Sequence, residues 1–94
     1  MKIIDYLGTG RENAKTASQI AREMNLDRKD VYSLLDTARR AGQPICDSIS
    51  SRPVFWLASS RAEMLAFCMD LEDFEKALSK TRKLCMKSLV NLEN

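Results

Sequence analysis

Thr16-Ala17-Ser18-Gln19-Ile20-Ala21-Arg22-Glu23-Met24-Asn25-Leu26-Asp27-Arg28-Lys29-Asp30-Val31-Tyr32-Ser33-Leu34-Leu35 is the stretch whose reading decides the fold. Thr16 followed by Gln19 fits a capping box, in which a hydroxyl and a side-chain amide reciprocally satisfy free backbone donors at a helix start. Ala17, Ile20, Ala21 and Met24 then recur at helical spacing, and Asn25 tolerates the left-handed conformation that ends a helix. After the Asn25-Leu26-Asp27 link, Asp27 is placed to cap the next helix. Val31, Leu34, Leu35 and Ala38 give that helix a buried face through to Ala41, with Gly42 as its stop. Two helices joined by so short a turn predict a helix-turn-helix.

Upstream, Ile3, Ile4 and Leu7 recur at helical spacing beside Tyr6, which predicts a first short helix from Lys2 to Leu7, stopped by Gly8-Thr9-Gly10. Arg11 to Lys15 reads as a loop. Downstream, Pro44-Ile45-Cys46 and Pro53-Val54-Phe55-Trp56-Leu57 flank the polar stretch Asp47 to Arg52 and read as two short strands around an exposed tip. Phe55 and Trp56 alternate along the second strand, and Trp56 is expected to anchor the core by closing the sheet onto the third helix, Asp27 to Ala41. The order predicts a mainly α protein: a winged helix-turn-helix over residues 1–58, with three helices and a β-hairpin wing, followed by one long C-terminal helix.

That last helix is expected over residues 59–94, a stretch with no Pro or Gly that opens with the capping-box pattern Ser60-x-x-Glu63. Met64, Leu71, Leu78, Cys85 and Leu92 fall seven residues apart, with Phe67, Phe74, Thr81 and Ser88 in the second seam position. Met64, Phe67, Leu71, Phe74, Leu78 and Cys85 are therefore the expected dimerisation residues. At ~1.5 Å per residue, such a helix reaches on the order of 50 Å, beyond what a sixty-residue domain covers, so part of it projects or finds a partner. Its charges are uneven: Glu63, Asp70, Glu72, Asp73 and Glu75 precede Lys76, Lys80, Arg82, Lys83 and Lys87. This order suits the helix dipole, and it also makes two such helices complementary when antiparallel.

Composition excludes several classes of function. The chain has 94 residues, 45% of them apolar and 30% charged, with three Gly and two Pro, which fits one compact helix-rich domain with an appendage. A formal net charge of +2 is too small for coating nucleic acid by charge alone, so any DNA affinity depends on where the cations sit. No apolar run approaches the ~20 residues of a membrane span, and Met1 to Asp5 does not open a secretory signal, so no membrane association and a cytoplasmic location are expected. Cys46, Cys68 and Cys85 are odd in number and widely spaced, which indicates neither a disulfide framework nor a metal site. Without histidine, the nucleophile systems that depend on it and the commonest general base are missing, and Gly8-Thr9-Gly10 is too short for a phosphate loop. Neither an enzyme nor a cofactor is expected.

In a helix-turn-helix the second helix enters the major groove, where its exposed N-terminal side chains reach base edges. Arg28 and Lys29 on its first turn can reach guanine edges or phosphates, and Tyr32 and Ser33 follow one turn later with hydroxyls. Arg39 and Arg40 are candidates for a phosphate clamp, though the helix dipole also favours cations there. Ser51 and Arg52 at the hairpin tip can hold phosphate. Asp30 and Asp36 on the same helix oppose phosphate.

The segment Thr16-Ala17-Ser18-Gln19-Ile20-Ala21 through Gly42, followed by Arg52-Pro53-Val54-Phe55-Trp56-Leu57, resembles the winged-helix superfamily of MarR-like regulators and Z-nucleic-acid-binding domains. The Z-binding branch carries Lys, Asn and Tyr at four-residue steps and Pro-Pro-x-Trp in the wing. The helix positions here are Arg28, Tyr32 and Asp36; the wing keeps Pro53 and Trp56, with Arg52 for the first proline. With Asp36 at the place of the stacking tyrosine, the resemblance implies ordinary duplex binding by a regulator. The expected function is therefore a transcriptional regulator that binds double-stranded DNA as a homodimer. The alternative is a winged helix that assembles with another protein and holds no DNA.

Overall fold

The computed structural model describes residues 2–93. The chain is mainly helical, with a small antiparallel sheet and a long C-terminal helix. Its helices are α1 (Ala17–Met24), α2 (Arg28–Arg40) and α3 (Arg61–Glu93), and its strands are β1 (Lys15–Thr16), β2 (Ile45–Asp47) and β3 (Val54–Leu57). Two single-turn 3-10 helices, Ile3–Tyr6 and Arg11–Asn13, precede them. The expected first helix is thus only a 3-10 turn, because an apolar stretch cut at Gly8 is too short to nucleate an α-helix. A second such turn lies where a loop was expected.

The capping box at the start of α1 forms in full: the Gln19 backbone N–H donates to Thr16 Oγ1 at 3.1 Å, and Thr16 N–H donates to Gln19 Oε1 at 2.8 Å. Asn25 closes the helix with φ 56° and ψ 47°, and Leu26 N–H returns to the Ala21 carbonyl. Asp27 takes the cap position of α2, but its side chain makes no capping hydrogen bond, contrary to expectation. Gly42, at φ 91°, follows the end of α2 as expected.

β3 is the central strand. It pairs antiparallel with β1 (Lys15 opposite Phe55) and with β2 (Cys46 opposite Trp56). β1 was not expected, since two residues carry no periodicity and Thr16 already serves as the cap of α1. Residues 8–10 extend this edge, with Leu57 N–H donating to the Gly8 carbonyl and Gly10 N–H to the Leu57 carbonyl, each at 2.8 Å. Gly8 is required here, because a Cβ would collide with the carbonyl oxygen and side chain of Asn13.

Successive residues of β3 face opposite sides of the sheet, and both sides are covered. On one side Phe55 and Ile45 pack with Ile20, Ala21, Val31 and Leu35 of α1 and α2, and with Ile3 and Leu7. On the other, Trp56 and Cys46 pack with Phe67 of α3, bordered by Met64, Leu71 and Ile49. Trp56 is a core anchor as expected, but it closes the sheet onto α3 rather than α2, because Phe55 already takes the α2 side. For the same reason, three of the expected dimerisation residues are engaged within one chain: Phe67 is buried, and Met64 and Leu71 are half-buried beside it.

α3 starts differently from expectation. Ser60 Oγ accepts from Glu63 N–H at 3.1 Å, but the Glu63 carboxylate turns to Ser59 N–H, the Ser59 hydroxyl and the Trp56 indole N–H, the last at 2.8 Å. One carboxylate therefore ties the helix start to the central strand. Beyond Leu71 the helix leaves the body, giving the molecule extents of 57 × 31 × 23 Å. The side chain of Leu92, the last seam position, lies outside the described residues.

The buried Cys46 thiol is pushed up to about 11, first by burial and then by the nearby Glu63 carboxylate, so it stays protonated well above neutral pH. A thiol reagent applied at about pH 8 is therefore expected to modify the exposed Cys68 and Cys85 on the folded chain and to reach Cys46 only on unfolding. Phe67→Ala is expected to cost about 3 kcal/mol in denaturant unfolding, as for a buried aromatic truncated in a core.

Candidate nucleic-acid interface

The helix-start residues of α2 and the tip of the β2–β3 connection come from separate segments of the chain, yet they share one surface cavity of about 390 Å³. Arg28 and Tyr32 line it from α2, Ser51, Arg52 and Pro53 from the connection, and Thr16, Ala17 and Ser18 from the start of α1. No acidic side chain is among these residues. Among the described residues, Arg28, Lys29 and Arg52 make no ion pair.

The local structure holds these groups in place. Tyr32 sits edge-on to Phe55, with centroids 5.9 Å apart and planes at 76°, so the core fixes its ring while 46% of the residue stays exposed. The connection is tied at its base: Ile49 N–H donates to Asp47 Oδ1 at 2.7 Å and Val54 N–H donates to Ser48 Oγ at 3.1 Å. Within it, Ile49 takes φ 48°, an uncommon conformation for a β-branched residue. Its side chain packs onto the cluster around Trp56, which offsets that strain.

The other expected contact residues separate into two groups. Lys29 and Ser33 are exposed on the flank of α2, beside the cavity but not lining it. Arg39 and Arg40 do not form a phosphate clamp. Arg39 donates from Nε to the Ile45 carbonyl at 3.1 Å, pairs with Asp47 at 2.9 Å and lies 5.6 Å from the Phe67 ring centre. It stands roughly 16 Å along the helix axis from Arg28, where β2 offers a carboxylate and a carbonyl. Arg40 pairs with Asp36 at 3.0 Å, which also neutralises one of the two aspartates opposing phosphate. Asp30 remains exposed on the first turn.

Sequence reasoning did not include Thr16, Ser18 and Pro53 in the interface. The capping box drew attention to Thr16 as a helix start, and the same position places its neighbours beside α2. The chain matches no family model, no curated protein and no solved structure.

The two groups of arginines are expected to respond differently to truncation. Arg28→Ala should leave stability within about 0.5 kcal/mol of the parent chain, as for an exposed residue without partners. Arg39→Ala should cost on the order of 1–3 kcal/mol, because it removes the guanidinium from which Asp47 Oδ2 and the Ile45 carbonyl accept. Urea unfolding of both variants checks this contrast.

Proposed function

We propose that the chain is a transcriptional regulator of the winged-helix type that binds double-stranded DNA as a homodimer. In this reading α1 and α2 form the helix-turn-helix, α2 enters the major groove and the β2–β3 hairpin is the wing. The observation that carries it is the convergence of Arg28 and Tyr32 with Ser51 and Arg52 on one acid-free surface. A phosphate or base edge there meets two unpaired guanidinium groups and several hydroxyl donors. Guanidinium serves this role well, since its planar fork matches both phosphate and the guanine edge.

The division of labour along α2 supports the same reading. Its first two turns keep their cations free, while its last turn uses Arg39 to hold β2 and α3. The reading surface is thereby fixed to a packed body, as recognition by a few side chains requires. With a net charge of +2, binding depends on this local concentration of cations. The Z-conformation variant is disfavoured by Asp36, whose carboxylate is paired with Arg40. No catalysis and no cofactor are part of the proposal.

A second reading has one observation in its favour. Asp30 stands exposed on the first turn of α2 and would repel phosphate, as expected of a winged helix that assembles with another protein.

Fluorescence anisotropy of a labelled duplex, titrated at two salt concentrations, separates the two readings. Affinity is expected to fall steeply with salt, and Arg28→Ala and Arg52→Ala should each lower the log–log slope by roughly one for each phosphate left without its cation. Absence of binding to any duplex at low salt would move the function to the assembly reading.

A further inference from the structure

The apolar seam of α3 changes partner along its length. Met64, Phe67 and Leu71 press it onto the sheet of their own chain. Phe74, Leu78, Cys85 and Leu89 carry the same face onward into solvent, with Phe74 at 46% and Leu78 at 53% exposure. On the opposite side of the helix, Lys76, Lys80, Lys83 and Lys87 form a line at steps of four, three and four residues. The uncovered stretch thus lies away from this lysine line and is continuous with an interface already packed.

We propose that a second copy of the chain covers this stretch by running antiparallel to it, with Phe74 against the partner's Cys85, Leu78 against the partner's Thr81, and Glu75 facing the partner's Arg82. The inference rests on the pairing in the function proposed above and gives that pairing its direction and register. It does not depend on DNA contact.

Three features select this arrangement. The first is size. Between Leu71 and Ser88, seam residues before the midpoint are large (Leu71, Phe74, Leu78) and those after it are small (Thr81, Cys85, Ser88). An antiparallel register sets each large residue against a small one, as interdigitated packing requires. A parallel register would stack Phe74 on its own copy and leave Ser88 facing Ser88.

The second is charge beside the seam. Glu75 and Arg82 occupy the same flank, seven residues apart, and equivalent flanks meet in an antiparallel pair, giving two symmetric ion pairs across the axis. A parallel pair would instead bring Asp70 towards the partner's Glu75, setting one carboxylate against another.

The third is the landing site. An antiparallel partner returns its last turns to the body, where a groove of about 370 Å³ opens between α3 and the β2–β3 connection. Ile49, Phe67 and Phe74 give it an apolar floor that suits the apolar face of the arriving helix.

The test is the dimer dissociation constant of the full chain, from sedimentation and light scattering without DNA, for Glu75→Arg, Arg82→Glu and the two combined. Each single change is expected to weaken the dimer by about tenfold, and the combination to restore it. In a Cys68→Ser background, mild oxidation should leave Cys85 uncrosslinked to its own copy. Adding Phe74→Cys should produce a crosslinked dimer through Cys85. Tightening by Glu75→Arg together with a Cys85–Cys85 crosslink would overturn the antiparallel direction. A dimer indifferent to both charge changes, with no crosslink from Phe74→Cys, would overturn the register while leaving homodimerisation intact. A chain that stays monomeric would overturn this inference and the pairing in the proposed function, whereas DNA contact stands or falls on the anisotropy titration.

Discussion

The architecture depends on a constraint of one four-residue strand. β3 is central, its side chains alternate, and its two adjacent aromatic residues, Phe55 and Trp56, are both buried. A sheet this small cannot shield either ring by itself, so it needs a cover on each face. α1 and α2 supply one and the first turns of α3 the other. The Trp56 indole, once buried, also needs an acceptor, and Glu63 provides it from the helix that does the covering. The C-terminal helix is therefore anchored to the body by apolar contact and by a charge-assisted hydrogen bond at a single location.

Much of this arrangement was legible in the sequence, for identifiable reasons. Thr16, Gln19 and Asn25 specify the two ends of α1 by local hydrogen bonding and backbone preference, and the apolar spacing of α1 and α2 follows from burial of one helical face. The two strands of the hairpin were found because they have polar and proline boundaries. β1 was missed because a two-residue strand exists only through its pairing with β3. Trp56 was assigned to the core but to the wrong helix: alternation requires that Phe55 and Trp56 face opposite ways without saying which helix covers which.

The C-terminal seam shows a related ambiguity. A heptad pattern records that a face is covered and is silent on whether the cover is the same chain or another. In α3 it is the same chain for Met64, Phe67 and Leu71, and solvent in the isolated chain for Phe74 onward. The candidate interface was legible at Arg28, Tyr32, Ser51 and Arg52, because exposed polar residues at the start of one helix and at a hairpin tip come together when the hairpin folds back. Arg39 was misassigned since its two acceptors, the Ile45 carbonyl and Asp47, become neighbours only once β2 lies alongside α2.

A rigid helix anchored at one end also behaves as a ruler. Each residue between the anchor and the point where two copies cross adds ~1.5 Å to the distance from body to axis. For the crossing proposed here, the two Phe67 anchors stand roughly 37 Å apart along the helices, close to the ~34–36 Å that one turn of B-DNA places between successive major-groove faces. If the proposed pairing and duplex binding hold, the length of α3 before its midpoint would set the half-site spacing as a residue count. Adding or removing one heptad before that midpoint would move the bodies by roughly 20 Å without altering either the reading surface or the face that pairs.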